Sequence, residues 1–177
     1  LARRHGLLDG VVFSGGEATR QLALAPAMAR VRDLGFQVGL HTGGAYPRRL
    51  AELLPLVDWV GLDIKALPED YGAVTGVAAA GPKAWEALGM VLDSGVGHEV
   101  RLTLHPDSPQ AATAGVIARR LRAAGVRVLV LQEARAEGTR EAFQTTARTW
   151  DLAAWQLRLD ELRREIDSLG FEHFSVR

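Results

Sequence analysis

Cysteine is absent from the 177-residue chain, which excludes disulfide bonds, thiolate metal sites and a cysteine nucleophile among these residues. An excess of either charge is lacking too, because 21 Lys and Arg residues balance 21 Asp and Glu residues. Binding to nucleic acid or to a membrane surface usually depends on excess positive charge, so we expect neither kind of partner. No apolar run approaches the roughly 18 residues that a bilayer-spanning helix needs.

Short apolar segments bounded by glycine alternate with segments of helical periodicity along the chain. The spacing predicts strands over residues 10–14, 36–42, 58–65, 98–105, 126–132 and 171–176. It predicts helices over residues 19–34, 47–54, 83–92, 111–124 and 151–169. Residues 68–82 and 133–149 have the polar composition of loops. This alternation predicts an α/β fold with a parallel sheet and right-handed crossovers, in a single domain over residues 1–177.

The two faces of the predicted strands favour a barrel over an open, doubly wound sheet. One face is apolar and the other is small or polar, as in the strand over residues 98–105, where Val100, Leu102 and Leu104 alternate with Glu99, Arg101, Thr103 and His105. Strands of a doubly wound sheet are covered on both sides and are apolar on both faces. Six strands are fewer than the roughly eight of a closed barrel. Because residues 1–8 resemble the end of a helix that leads into a strand, we expect an incomplete barrel from which an N-terminal piece is missing.

Polar residues follow the predicted strands at their C-terminal ends, where β/α barrels carry their functional groups. These candidate site residues are Ser14, Gly15, Gly16, Glu17, His41, Asp63, Lys65, His105 and Gln132, and Arg101 lies on the same face. Each has an ordinary structural explanation when taken alone, such as an ion pair between Asp63 and Lys65. Together they predict a ligand site, because polar groups are costly to collect in an apolar barrel.

The first strand end indicates what kind of ligand would bind. Gly15 and Gly16 have no Cβ, so their peptide groups can approach a ligand closely. A backbone carbonyl and the Glu17 carboxylate can both accept hydrogen bonds from an ammonium group. Lys65 and Arg101 supply positive charge that suits a carboxylate. These residues therefore predict an amino acid, or a conjugate of one, as the ligand.

The segment over residues 10–21, GVVFSGGEATRQ, resembles the Gly-Gly-Glu segment of radical S-adenosylmethionine enzymes. It is most similar to the activating proteins of anaerobic ribonucleoside-triphosphate reductase, and residues 39–44, 57–65 and 71–76 carry the same resemblance. The resemblance implies an α/β fold of the partial (βα)6 barrel type, here with its N-terminal βα unit missing, and it implies that S-adenosyl-L-methionine lies across the strand ends. It implies that Gly15, Gly16 and Glu17 hold the methionine amino group and that Asp63 and Lys65 contact the rest of the cofactor.

The same resemblance implies a cytoplasmic enzyme with a 4Fe–4S cluster and an electron donor such as flavodoxin. Its partner would be a glycyl-radical enzyme, the large subunit of anaerobic ribonucleoside-triphosphate reductase, from which the 5′-deoxyadenosyl radical removes a glycine hydrogen. The family holds its cluster with three cysteines, and this chain has none. We therefore expect either a truncated piece of such an enzyme or a relative without a cluster, and in both cases a chain that is inactive alone.

Two alternatives do not need a cluster. Lys65 could form a Schiff base with Asp63 as its acid–base partner, as in an aldolase-type lyase. A non-catalytic binding protein could instead expose the apolar stripe of the helix over residues 151–169, with Trp155 and Leu162 in contact with a partner. The ordinary expectation is that this stripe packs on the sheet.

Overall fold

Six parallel strands form one sheet in the order of the chain. The computed structural model describes Arg4 and residues 6–177. Its strands are β1 (Gly10–Phe13), β2 (Gln37–Thr42), β3 (Trp59–Asp63), β4 (Gly97–Leu104), β5 (Val128–Glu133) and β6 (His173–Val176). Sequential order is that of a barrel wall, whereas a doubly wound sheet reverses its strand order at a switch point. In the described part of the chain no ladder joins β1 to β6, so the barrel is open, as expected.

Helices follow the strands and cover the apolar face of the sheet. They are α1 (Leu24–Asp33), α2 (Pro47–Leu53), α3 (Tyr71–Thr75), α4 (Ala80–Ser94), α5 (Ala114–Ala123), α6 (Glu141–Ala147) and α7 (Leu152–Asp167). The core between the layers contains Leu40, Leu62, Leu102 and Leu129, all fully buried. These are the alternate strand positions that the sequence marked as the apolar face. None of the described helices is long and apolar enough to cross a bilayer.

The structure differs from the sequence-based prediction mainly in two segments predicted as loops. Residues 68–82 contain α3 and the start of α4. Pro82 did not prevent this, because proline is tolerated in the first turn of a helix. Residues 133–149 contain α6. The expectation for residues 1–8 falls partly outside the described residues.

The last helix packs against the body of the protein. Trp155, Leu159, Leu162 and Ile166 are all buried, so the hypothesis that α7 exposes its apolar stripe to a partner is wrong. A Cβ at Gly115 of α5 would overlap the carboxylate of Glu165. That glycine therefore lets α5 and α7 approach closely.

Candidate functional site

The polar face of the sheet, defined as the side that carries His41, Asp63 and Arg101, contains a hydrogen-bonded cluster of these three residues. The register sets Asp63 of β3 opposite Arg101 of β4. The Arg101 Nε atom donates to Asp63 Oδ1 at 2.7 Å. Its Nη1 atom lies 3.1 Å from Nε2 and 3.2 Å from Nδ1 of His41. Because Arg101 is only 8% exposed, loss of Asp63 would leave a buried guanidinium without its carboxylate.

His41 occupies space that a glycine leaves open. A Cβ at Gly61 would lie 2.7 Å from His41 Cδ2 and 2.8 Å from the Trp59 ring. The His41 and Trp59 rings tilt against each other with centroids 5.4 Å apart. Burial, and then the nearby Arg101 guanidinium, lower the pKa of His41 from its ordinary value of 6.5. The imidazole is therefore neutral at pH 7 and can accept a hydrogen bond from Arg101.

The segment after β1 presents its backbone to solvent. Gly15 and Gly16 adopt positive φ angles of +98° and +53°, a region that side chains other than glycine seldom enter. No atom lies within 4 Å of the position that a Cβ would take at either glycine. Ser14, Gly15 and Gly16 are exposed, so their peptide groups are open to a ligand.

The Glu17 carboxylate, expected from the sequence to face an ammonium group, is engaged by its own chain. Oε1 accepts from Thr19 N–H at 3.2 Å, from Thr19 Oγ1 at 2.6 Å and from Thr42 Oγ1 at 2.7 Å. Oε2 accepts from the Gly43 N–H group at 2.9 Å. These hydrogen bonds of Glu17 hold the segment of Gly15 and Gly16 (the Gly-Gly segment) against the end of β2. The sequence did not identify Thr19 and Thr42 as hydrogen-bond partners of Glu17.

Lys65 lies just beyond the end of β3 and is exposed. It makes no ion pair with Asp63 in the part of the chain that the structure describes, because Asp63 is bound to Arg101. The suggested Asp63–Lys65 pair is therefore wrong. The Lys65 N–H group donates to Tyr71 Oη at 3.0 Å, and burial raises the pKa of Tyr71 to about 12. A Schiff-base lysine is activated by desolvation or a neighbouring cation, so the exposed position of Lys65 gives the aldolase-type alternative no support.

His105 lies apart from the cluster on the polar face. Its ring stacks on Trp150 with centroids 5.3 Å apart and meets Phe143 edge-on at the same distance. Burial lowers the pKa of His105 from its ordinary value. Its Nδ1 atom is buried without a hydrogen-bond partner in the described part of the chain. Phe143 and Trp150 were missed because they fall in a segment of weak periodicity.

Two further polar pairs extend the polar face beyond Arg101. Arg177 Nη2 donates to Glu99 Oε2 at 3.1 Å, and Glu99 is 9% exposed. Thr103 Oγ1 donates to Gln132 Oε1 at 3.4 Å. Strand alternation places Glu99 and Thr103 on this face, but nothing local in the sequence identifies Arg177 as a partner 78 positions away.

The resemblance implies two cofactors, an iron–sulfur cluster and S-adenosylmethionine, and the residues of this chain fit only one of them. An iron–sulfur cluster needs cysteine thiolates or comparable ligands. The chain has no cysteine, and the described residues include no group of three or more His, Asp or Glu side chains placed to hold a metal ion. The residues present therefore do not fit a cluster. The open peptide groups at Gly15 and Gly16 fit the ammonium group of an amino acid, and the exposed ammonium group of Lys65 fits its carboxylate.

No family model matches the chain. Among curated proteins, a 7-carboxy-7-deazaguanine synthase from Thermococcus kodakarensis is 36% identical over 61 residues, which are 34% of this chain and 24% of that protein. The match thus spans about a quarter of the length of this relative.

Two solved structures resemble the whole fold. A domain of pyruvate-formate lyase-activating enzyme from Bacteroides vulgatus has a TM-score of 0.60 at 12% identity, covering 94% of this chain and 98% of the domain. SuiB from Streptococcus suis, bound to its precursor peptide SuiA, has a TM-score of 0.72 at 13% identity, covering 95% of this chain and 38% of SuiB. These likenesses confirm the α/β fold with a partial barrel that the sequence predicted.

Proposed function

We propose that this chain is the S-adenosylmethionine-binding barrel of a radical S-adenosylmethionine enzyme. The observation that carries the proposal is the segment after β1. There, two adjacent glycines expose their peptide groups in left-handed conformations, while Glu17 fastens them to the end of β2. The fold likeness over 94% and 95% of the chain supports the proposal.

Each exposed group has a role in this binding mode. Carbonyl groups of the Ser14–Gly16 segment accept hydrogen bonds from the methionine ammonium group. The exposed Lys65 ammonium pairs with the methionine carboxylate. Asp63 holds Arg101 and so shapes the floor of the polar face. S-adenosylmethionine supplies the 5′-deoxyadenosyl group of this family's chemistry, and no cluster step is assigned to the residues of this chain.

Equilibrium dialysis with radiolabelled S-adenosylmethionine tests the binding mode. We expect Gly15→Ala to weaken binding about tenfold or more, because a Cβ in the left-handed region costs about 1–2 kcal/mol and shifts the peptide groups. Gly125→Ala is the matched control. Its φ of +103° is close to the +98° of Gly15, and its Cβ position is equally open, but it lies between α5 and β5. Equal affinity of the two variants, or no binding by the parent chain, would overturn the proposal.

The finer proposal is that the chain belongs to an activase that forms a glycyl radical on anaerobic ribonucleoside-triphosphate reductase. Four segments that resemble such activases support it, as does the likeness to a domain named as a pyruvate-formate lyase-activating enzyme. The large subunit of the reductase would be the partner, and a flavodoxin would deliver electrons in the cytoplasm. Analytical ultracentrifugation of the chain with that subunit tests the pairing, and absence of a complex at micromolar concentrations would contradict it.

A second candidate follows from the local sequence match. The 61 residues that are 36% identical to a 7-carboxy-7-deazaguanine synthase favour a deazapurine as the product that the enzyme releases. Calorimetric titration with 7-carboxy-7-deazaguanine separates the candidates. Binding without complex formation supports the synthase-like function, and complex formation without deazapurine binding supports the activase.

A further inference from the structure

A cavity of about 410 Å³ lies outside the polar face, between the start of α2 and the first turns of α4. Its walls are formed by Tyr46, Pro47, Arg48, Arg49, Lys83 and Glu86. The volume lies within the range of roughly 300–1,000 Å³ that is usual for small-molecule sites. None of its lining residues belongs to the cluster on the polar face.

The cavity has more positive charge than its own residues neutralise. Three cationic side chains line it against one carboxylate, Glu86. Within the described residues, Arg48 and Lys83 form no ion pair, and Arg49 pairs through Nη1 with Glu52 on its own helix. The Nε atom of Arg49 is buried without an acceptor in the described structure. Arg48 and Lys83 are therefore the cations of the cavity that a ligand can engage.

The charge and shape of the cavity distinguish between possible anions. With Arg49 paired to Glu52, Arg48 and Lys83 are the two cations of the lining that form no ion pair among the described residues, and Glu86 is its one carboxylate. A phosphate monoester carries about −1.5 to −2 charges at pH 7 and offers three acceptor oxygens, so it can contact both of these cations at once. Guanidinium groups also match phosphate oxygens in a two-point geometry. The volume exceeds what one phosphate fills, and the 40% exposed Tyr46 ring offers a flat wall for the rest of the molecule.

We infer that this cavity is a binding site for a phosphate monoester whose organic part packs on Tyr46. The site adjoins the proposed cofactor segment, because Glu17 holds Gly43 at 2.9 Å and the chain reaches Tyr46 three residues later. If the proposed function is correct, the phosphate ester is a substrate or an effector held beside the rim. The binding itself does not require that function.

Isothermal titration of the full chain with phenyl phosphate tests the inference, without S-adenosylmethionine and at about 0.1 M ionic strength, where screening acts over roughly 10 Å. We expect the double variant Arg48→Gln, Lys83→Gln to bind phenyl phosphate at least about tenfold more weakly, since each lost charge-assisted hydrogen bond is worth about 1.5–3 kcal/mol. Tyr46→Ala should weaken phenyl phosphate but not inorganic phosphate. The control Arg30→Gln, Arg163→Gln removes two exposed cations that lie outside this cavity.

Lys83 also provides a direct readout of occupancy, because the chain has only two lysines, Lys65 and Lys83. Phenyl phosphate should protect Lys83 from acetylation and leave Lys65 reactive. Three results would each overturn the inference: equal binding by the cavity variant and its control, tighter binding of benzoate or of a polyglutamate peptide than of phenyl phosphate, or unprotected Lys83. These three results can be interpreted even if the chain does not bind S-adenosylmethionine, so each proposal can be refuted without the other.

Discussion

The substitution Glu17→Ala tests whether the carboxylate of Glu17 holds the end of β1 against the end of β2. The carboxylate accepts hydrogen bonds from Thr19, Thr42 and Gly43, and the two threonines are only 1% and 3% exposed. In Glu17→Ala these donors lose their acceptor inside the fold. We therefore expect the end of β1 and the end of β2 to lose their connection.

The size of the effect follows from the burial of the donors. An unsatisfied buried donor costs about 1–3 kcal/mol, and Glu17 itself is half-buried, so water can reach part of the vacated space. We expect Glu17→Ala to lower the free energy of unfolding by about 2–4 kcal/mol. Glu17→Gln retains one acceptor oxygen but turns an N–H group toward the Gly43 N–H group, for a loss of about 1–2 kcal/mol.

Urea denaturation followed by tryptophan fluorescence measures both losses, with four tryptophans as reporters. Glu137→Ala is the control, since Glu137 is exposed and an exposed substitution typically changes stability by less than about 0.5 kcal/mol. If Glu17→Ala matches that control, the carboxylate of Glu17 does not hold the ends of β1 and β2 together.

Three shorter predictions address other parts of the molecule. Tyr71→Phe removes the acceptor of the Lys65 N–H group and should destabilise the chain by about 1 kcal/mol in urea denaturation, and it should abolish the tyrosine titration near pH 12. Because burial lowers the pKa of His105 below 6.5, the unfolded chain binds more protons as the pH falls below 6.5, and stability should decline there. His105→Phe should flatten part of that decline in melting temperatures, whereas substitution of the exposed His173 should not. Anaerobic incubation with iron, sulfide and reductant should give neither cluster absorbance nor 5′-deoxyadenosine, since the chain has no cysteine, and detection of either would contradict this.

The strands and long helices were predictable because their signals are local. The strands are short apolar or alternating segments, and the structure shifts most of their ends by only one or two residues. The short helices α3 and α6 were not predictable. A helix of five or seven residues is marginal by itself, and its stability comes from packed rings, Tyr71 in α3 and Phe143 in α6.

The sequence predicted which strand ends carry the candidate site, but it did not predict which side chains form hydrogen bonds or ion pairs with one another. His41, Asp63 and Arg101 meet because the parity of parallel strands puts them on one face. Asp63 and Lys65 have the same parity, and their spacing suggested a pair. However, β3 ends at Asp63, so Lys65 leaves the pleat before its side chain can return to that face. The register that gives Asp63 its true partner is set by how the crossover helices pack, and no short segment of sequence records it.

The charges that remain free around the rim point to the character of its ligands. Asp63 Oδ1 accepts from Arg101, and the carboxylate of Glu17 accepts from Thr19, Thr42 and Gly43 of its own chain. Both acidic groups that the sequence predicted as ligand contacts therefore already have partners within the chain. What stays open is neutral backbone at the Gly-Gly segment, the ammonium group of Lys65, and the uncompensated cations of the cavity beside α2. This arrangement suits a ligand that brings its own negative charge. In the binding mode proposed above, carbonyl oxygens of the Gly-Gly segment accept from the ammonium group of the ligand, while the contacts of Glu17 hold that segment against the end of β2.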